Sequence, residues 1–241
     1  MNPATIITVV SETGSTNADL AAAIRRGERQ SEGAWLVAER QTAGRGRQGR
    51  EWFDGFGNFM GSTVVELKEG DKAPATLSFA AALAVNDAVE NAIGGAGKVE
   101  LKWPNDVMLD GGKLSGILLE MVDDHVIVGI GVNLAQAPSL PDRKAAAIAD
   151  VTSAPAPQQF AQALAGSFAR QLHLWRNNNL ADLLTRFLKR SLHAQGAPVR
   201  VHDGDGECVD GTFAGLEESD GALRLRLADG SERVIRAGDI S

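Results

Sequence analysis

The sequence predicts an α+β fold, a mixed or antiparallel sheet flanked by helices and followed by a small β-barrel of about five strands. Three observations carry this. Short β-type runs and helix-type runs share the first two hundred residues, and residues 99–134 read as strands joined by tight turns. After Gly196 the pattern changes to short β segments separated by Gly/Asp turns. A chain of 241 residues has room for one sizeable core and a small appendage. The boundary falls near residue 195, giving a main domain over 1–195 and a β tail over 196–241.

Each element follows from local residue types. "TIITVV" is a first strand, and "STNADLAAAIRRG" is a helix that Ser15, Thr16 or Asn17 can cap and Gly27 can end. "AWLVAE" (34–39) is a second strand, running into the Gly/Arg stretch "GRGRQGR" (44–50); "NFMGSTVVEL" (58–67) resumes β character. Pro74 opens an Ala/Leu/Val-rich core helix that Gly94 and Gly95 close after Ile93. "VELKW", "DVMLD", "KLSGILLEMV" and "HVIVGIGVNL" form a meander turning at Gly111-Gly112 and Asp123-Asp124. Residues 136–157 are loop-like, and helices follow at about 158–176 and 179–192.

Composition excludes several classes. With 44% hydrophobic and 23% charged residues the chain reads as an ordinary soluble globular protein, and no apolar run is long enough to cross a bilayer. The N-terminus lacks a basic leader and a cleavage site, so the expected location is the cytoplasm. The single cysteine, Cys208, sits in no metal-ligand pattern and fits a reducing compartment. A formal net charge of −7 argues against a general nucleic-acid binder. The three arginines of the 44–50 stretch therefore serve something local.

Gly44, Gly46 and Gly49 allow the backbone to approach a ligand with its N–H groups free, and Arg45, Arg47 and Arg50 add fork-shaped donors suited to carboxylate or phosphate. The spacing is not that of a Walker loop. A Gly/Arg tract can also bind RNA, although such tracts are usually longer and disordered. "KWPND" gathers Lys102, Trp103, Asn105 and Asp106 around the rigid Pro104, placing a cation for a phosphate and a carboxylate for a ribose or a divalent metal; the same residues also make an ordinary turn. Lys113 and Gly116 begin the next strand, and Asn133 ends "GIGVN". The four histidines are scattered without metal spacing, and no nucleophilic serine elbow occurs. Such a cationic site without a covalent nucleophile suits attack of an anionic acid on a phosphate, with adenylation as the candidate reaction.

In this order, "STN", "QTAGRGRQGR", "KWPND", "KLSGILLE" and "GIGVNL" resemble the biotin protein ligase (biotin–[acetyl-CoA-carboxylase] ligase) family. The similarity is dense from about Ile7 to Leu134, and the tail resembles that family's SH3-like C-terminal domain more loosely. The resemblance implies a sheet like the class II aminoacyl-tRNA synthetase core, MgATP and biotin as reactants, biotinyl-adenylate as intermediate, and a lysine of a biotin carboxyl carrier domain as acceptor. It places Ser15, Thr16, Asn17, Gln41, Gly44, Arg45, Gly46, Arg47, Lys113 and Gly116 at biotin. Arg47, Arg50, Lys102, Trp103, Asn105, Asp106 and Asn133 would meet ATP, with Asp106 at magnesium. Arg45, Arg47, Lys102 and Lys113 carry the catalytic charge. The stretch "RKAAAIAD" (143–150) lies near the adenine in this scheme, without the hydroxyl side chains of the family pattern. The first strand leaves no room for a preceding helix-turn-helix domain, so an enzyme without nucleic acid or membrane partners is expected, as monomer or homodimer. Other readings are a lipoate or octanoate ligase or transferase on a related core, a non-catalytic biotin binder, and a structural protein associating through its β tail.

Overall fold

A period of two in burial builds the main sheet. The structure, a computed structural model, describes residues 6–141, 143–203 and 207–240. Strands β1 (Ile7–Val10) and β2 (Trp35–Ala38) are parallel, and α1 (Thr16–Arg25) lies in the crossover between them, as a parallel connection requires. Ser15 caps α1, its Oγ accepting from the Ala18 amide. With β3 (Phe59–Glu66), β4 (Val99–Lys102), β5 (Asp106–Leu109), β6 (Gly112–Val122) and β7 (His125–Val132), the order is β1-β2-β3-β7-β6-β5-β4, and every pair after the first is antiparallel. The sheet is mixed, as the sequence predicts.

In β7, Val126, Val128, Ile130 and Val132 face the main core, where α2 (Leu77–Ile93) is buried along nearly its whole length. Helix α3 (Pro157–Asn177) backs α2, with Trp35 edge-on to Phe168 at 5.7 Å and the Trp175 indole donating to Thr76 Oγ1 at 2.8 Å. On the opposite face, Leu20, Ala21 and Ile24 of α1 cover Val64, Val122 and Ile127. That helix covers only part of the face.

Helix α4 (Leu180–Leu188) ends four residues before the expected position. The reason is a competing ladder: Arg190 O accepts from the Leu101 amide at 2.7 Å and Leu101 O from the Leu192 amide at 2.8 Å, which draws residues 190–192 alongside β4. The five strands expected after Gly196 are all present. Strands β8 (Pro198–Asp203), β9 (Cys208–Leu216), β10 (Leu223–Arg226), β11 (Glu232–Ile235) and β12 (Gly238–Ile240) form one antiparallel sheet in the order β11-β10-β9-β8-β12. Gly221 of this sheet's β9–β10 connection meets Phe79 of α2 and accepts from the Trp103 indole at 3.1 Å.

Candidate functional site

The face of the sheet that α1 leaves open holds a cavity of about 490 Å³. Its floor is low because small residues alternate onto it: Ser62 of β3 stands opposite Gly129 of β7, and Gly131 opposite Gly116 of β6. A β-carbon at Gly131 would run into the Trp52 ring, which also lies against Gly116. Trp52 therefore forms a wall, and its Nε1 has no partner among the described residues.

One end of the cavity presents the uncharged hydrogen-bonding side chains Thr16, Asn17, Gln41 and Ser62. The Thr16 amide donates to Gln41 Oε1 at 2.7 Å, which leaves the Gln41 Nε2 end for the cavity. Thr16 Oγ1 lies 2.6 Å from Ser62 Oγ, and Ser62 donates to Asn17 Oδ1 at 2.6 Å. Asn17 Nδ2 in turn donates to Glu120 at 2.6 Å. Glu120 accepts only, so it fixes which end of the Asn17 amide faces Ser62. Asp54 Oδ1 holds the backbone of Gln41 at 3.0 Å.

The other end is cationic. Arg47–Gly49 forms a tight turn in which Gln48 and Gly49 both have positive φ (57° and 71°) and the Arg50 amide returns to Arg47 O. Only glycine takes that second position without strain. Arg47 is fixed by three partners: Asn105 Oδ1 at 3.1 Å, Asp239 Oδ1 at 3.2 Å and Gly238 O at 3.1 Å. Arg50 Nη2 meets Asp239 Oδ2 at 2.8 Å. Across the cavity, Lys113 Nζ pairs with Asp106 Oδ1 at 2.7 Å, and Arg143 and Ala145 complete the rim.

The structure brings most of the expected residues to this one cavity: Ser15, Thr16, Asn17, Gln41, Gly44, Arg45, Gly46, Arg47, Arg50, Asn105, Asp106, Lys113, Gly116 and Asn133 line it. Asn133 spends its Nδ2 on Ala146 O at 3.1 Å, docking the 143–148 segment beside Lys113, while its Oδ1 has no partner among the described residues. Lys102 does not line the cavity. It stands across the β4–β5 ladder from Asp106, and burial first, then the charges of Lys113 and Arg143, lower its pKa against the pull of Asp106 and Asp239. Trp103 is a correction. It is 3% exposed, packed in the core with its indole turned to Gly221, and presents no surface to a nucleotide. Leu101 and Trp103, on either side of Lys102, are both packed in the core. Sequence reasoning missed Trp52, Ser62, Glu120 and Asp239. Ser62 sits inside an apolar β run, and Asp239 is 192 residues from Arg47; only the spacing of Trp52, two residues beyond the arginines, was a usable signal.

Fold and site together define a ligase class, and the chain belongs to the biotin/lipoate A/B protein ligase family, whose model matches residues 11–133. The model of the biotin protein ligase C terminal domain matches residues 196–241. Within that class the chain is 40% identical to a biotin–[acetyl-CoA-carboxylase] ligase of Paracoccus denitrificans, covering 96% of this chain and 98% of the relative. It is 39% identical to the ligase of the same name from Mycobacterium tuberculosis, covering 96% and 87%. Among solved structures, the biotin protein ligase of Aquifex aeolicus in complex with biotin and ATP superposes with a TM-score of 0.83 at 27% identity, over 98% of this chain and 97% of that one. Among the described residues no helix is long and apolar enough to cross a membrane.

Proposed function

We propose that this chain activates biotin with MgATP as biotinyl-5'-adenylate and transfers the biotinyl group to a lysine of a biotin carboxyl carrier domain, in the cytoplasm. The observation that carries the reading is the polarity of one cavity, a neutral hydrogen-bonding end joined to a cationic end over a glycine floor. A ureido ring offers two N–H donors and one carbonyl acceptor, and Gln41 Nε2, the Thr16 and Ser62 hydroxyls and Asn17 supply the complement. A dithiolane ring or an alkyl chain offers none of these and would leave the buried network unpaired, which disfavours the lipoate and octanoate reading.

The biotin carboxylate then lies toward Lys113, Arg45 and Arg47. Its oxygen attacks the α-phosphorus, and the bond from that phosphorus to the oxygen bridging to the β-phosphate breaks, releasing pyrophosphate. Two anions must approach, so the protein's task is to neutralise and align them, with Lys113 and Arg47 at the reacting groups and Arg50 and Lys102 toward the departing phosphates. In the second half-reaction the neutral lysine amine attacks the acyl carbon, an amide forms, AMP leaves and the amine loses a proton. Magnesium enters with ATP. Asp106, one carboxylate beside a phosphate site, fits a metal held mainly by phosphate oxygens; among the described residues no cluster of three metal-ligating side chains exists. Asn105 and Asn133 Oδ1 stand at the nucleotide side. We assign residues 1–195 to the catalytic unit and 196–241 to a C-terminal unit that closes its cationic end.

The test is pyrophosphate release from MgATP by the purified chain with biotin, lipoate or octanoate. Release with biotin alone is expected; release with lipoate moves the chain to the sister activity, and none with any acid refutes adenylation.

A further inference from the structure

Asp239 is the one residue of the C-terminal sheet that lines the cavity among the described residues, and it is a carboxylate at the end of the site that should receive an anion. A negative group there weakens phosphate binding unless it does something else. Its geometry shows what else. Its two oxygens divide between Arg47 and Arg50, the first and fourth residues of the tight turn, while the neighbouring Gly238 carbonyl takes the second Nη of Arg47. Position 239 is itself firmly set. Strand β12 pairs with β8 from Gly238 opposite Asp203 to Ile240 opposite Val201, and Ile240 is 2% exposed, so the inward packing of 238 and 240 aims 239 at the loop. Within the loop itself the turn is held by the Gly46 amide to Arg50 O at 2.7 Å, the Arg50 amide to Arg47 O at 3.2 Å, Arg50 Nη2 to Gln48 Oε1 at 2.7 Å, the Trp52 amide to Gly44 O at 3.0 Å and the bridge between Arg45 and Glu51; none of these reaches outside the loop. The turn also places Gln48, a residue with a side chain, in the left-handed region, which costs free energy that outside contacts must offset.

We propose that Asp239 is a positioning residue for the arginine turn: from the C-terminal sheet it clamps Arg47 and Arg50 in place before nucleotide arrives, so that the C-terminal unit takes part in the ATP half of the reaction. The proposal rests on the adenylation reading for its kinetic consequence but not for its structural one. Two cations held 2.8 and 3.2 Å from one carboxylate lose most of their freedom in advance, and the ordering does not have to be supplied by ATP binding. Arg50 is the more exposed of the two and, among the described residues, its side chain has only Asp239 and the Gln48 side chain as partners, so it is the one that exchanges its carboxylate for a phosphate, while Arg47 keeps Asn105 and Gly238.

The experiment compares the full chain with Asp239→Asn and Asp239→Glu in two readouts. The first is limited trypsin cleavage after the loop arginines of the ligand-free protein. The second is biotin-dependent pyrophosphate exchange, with separate KM values for ATP and biotin. For Asp239→Asn, loop cleavage and the KM for ATP should each rise about tenfold, the scale of one partly exposed charge-assisted contact. The KM for biotin and the melting temperature should stay unchanged, and Asp239→Glu should restore protection. Unchanged cleavage, or an ATP KM that stays level or falls, overturns the proposal, since the carboxylate would then merely compete with phosphate. Should Asp239→Asn lower the melting temperature, Arg50→Ala tests the clamp from the other side: it must expose the loop, and adding Asp239→Asn to it must expose the loop little further. If the unaltered chain shows no exchange with biotin while loop protection still depends on Asp239, the adenylation reading fails and the clamp stands.

Discussion

Gln41 can offer only the amine end of its amide to the cavity, because the Thr16 amide occupies the carbonyl end at 2.7 Å. That is how a residue's polarity becomes a specificity element: the flip of one buried amide is decided by a neighbour's backbone, and the Thr16–Ser62–Asn17–Glu120 chain decides the rest. Ser62 is the middle link and is 1% exposed. Ser62→Ala removes a hydroxyl that serves two partners without opening a large void, so the cost should appear in binding and not in folding. We expect the KM for biotin to rise about tenfold, one to one and a half kcal/mol for a buried network bond, with the KM for ATP unchanged; equal changes in both would place Ser62 in the scaffold instead. The glycines, arginines and lysines of this site were legible in the sequence because their residue types are unusual at strand ends. Ser62 was not, because a serine inside "NFMGSTVVEL" is indistinguishable from a strand filler until the β3–β7 register places it across from Gly129.

At the scale of the element, alternation explains both what was read correctly and what was not. Strand β7 carries Val126, Val128, Ile130 and Val132 to the core and Ile127, Gly129 and Gly131 to the other face, so a segment that reads as uniformly apolar is a core wall on one side and a cavity floor on the other. "KWPND" is divided likewise: Asn105 and Asp106 line the cavity, Lys102 stands beside it across the ladder from Asp106, and Trp103 belongs to the seam with the C-terminal sheet. The sequence shows the motif but not which face each member takes. The end of α4 was likewise illegible, because the ladder of residues 190–192 on Leu101 is a long-range pairing that overrides local helix propensity. Gly131→Ala tests the floor. Its methyl must displace the Trp52 ring, which lies over the cavity and not in the core, so the melting temperature should hold while biotin binding, followed by calorimetry, weakens a hundredfold or more, roughly 3 kcal/mol by the scale of overpacking. Retained binding would show that Trp52 moves freely and that the floor is not the contact surface.

At the scale of the whole molecule, two seams join the C-terminal sheet to the main sheet: the Asp239 clamp at the cavity, and the packing of residues 190–197 and Trp103 beneath it. His193 lies in the second. Its ring centroid is 6.5 Å from that of Phe213, and its Nε2 is buried with no partner among the described residues. Burial first, then the nearby Lys102 ammonium, pushes its pKa below the usual 6.5, with Glu100 opposing. The folded state therefore binds the His193 proton less readily than the unfolded chain does, and stability rises with pH through the window between the two pKa values. The neutral ring's contribution is fully present above 6.5 and is lost as the pH falls through the lowered folded value. Replacing the ring with a side chain that does not titrate removes that slope and leaves the others. Urea unfolding of the intact chain and of His193→Gln, followed from about pH 7.5 to about pH 5, should show the unaltered protein losing stability faster on acidification, so that the gap between the two narrows or reverses toward the acid end. A gap that stays constant across the range would mean that the ring is hydrated in both states and that His193 does not set the acid sensitivity of this seam.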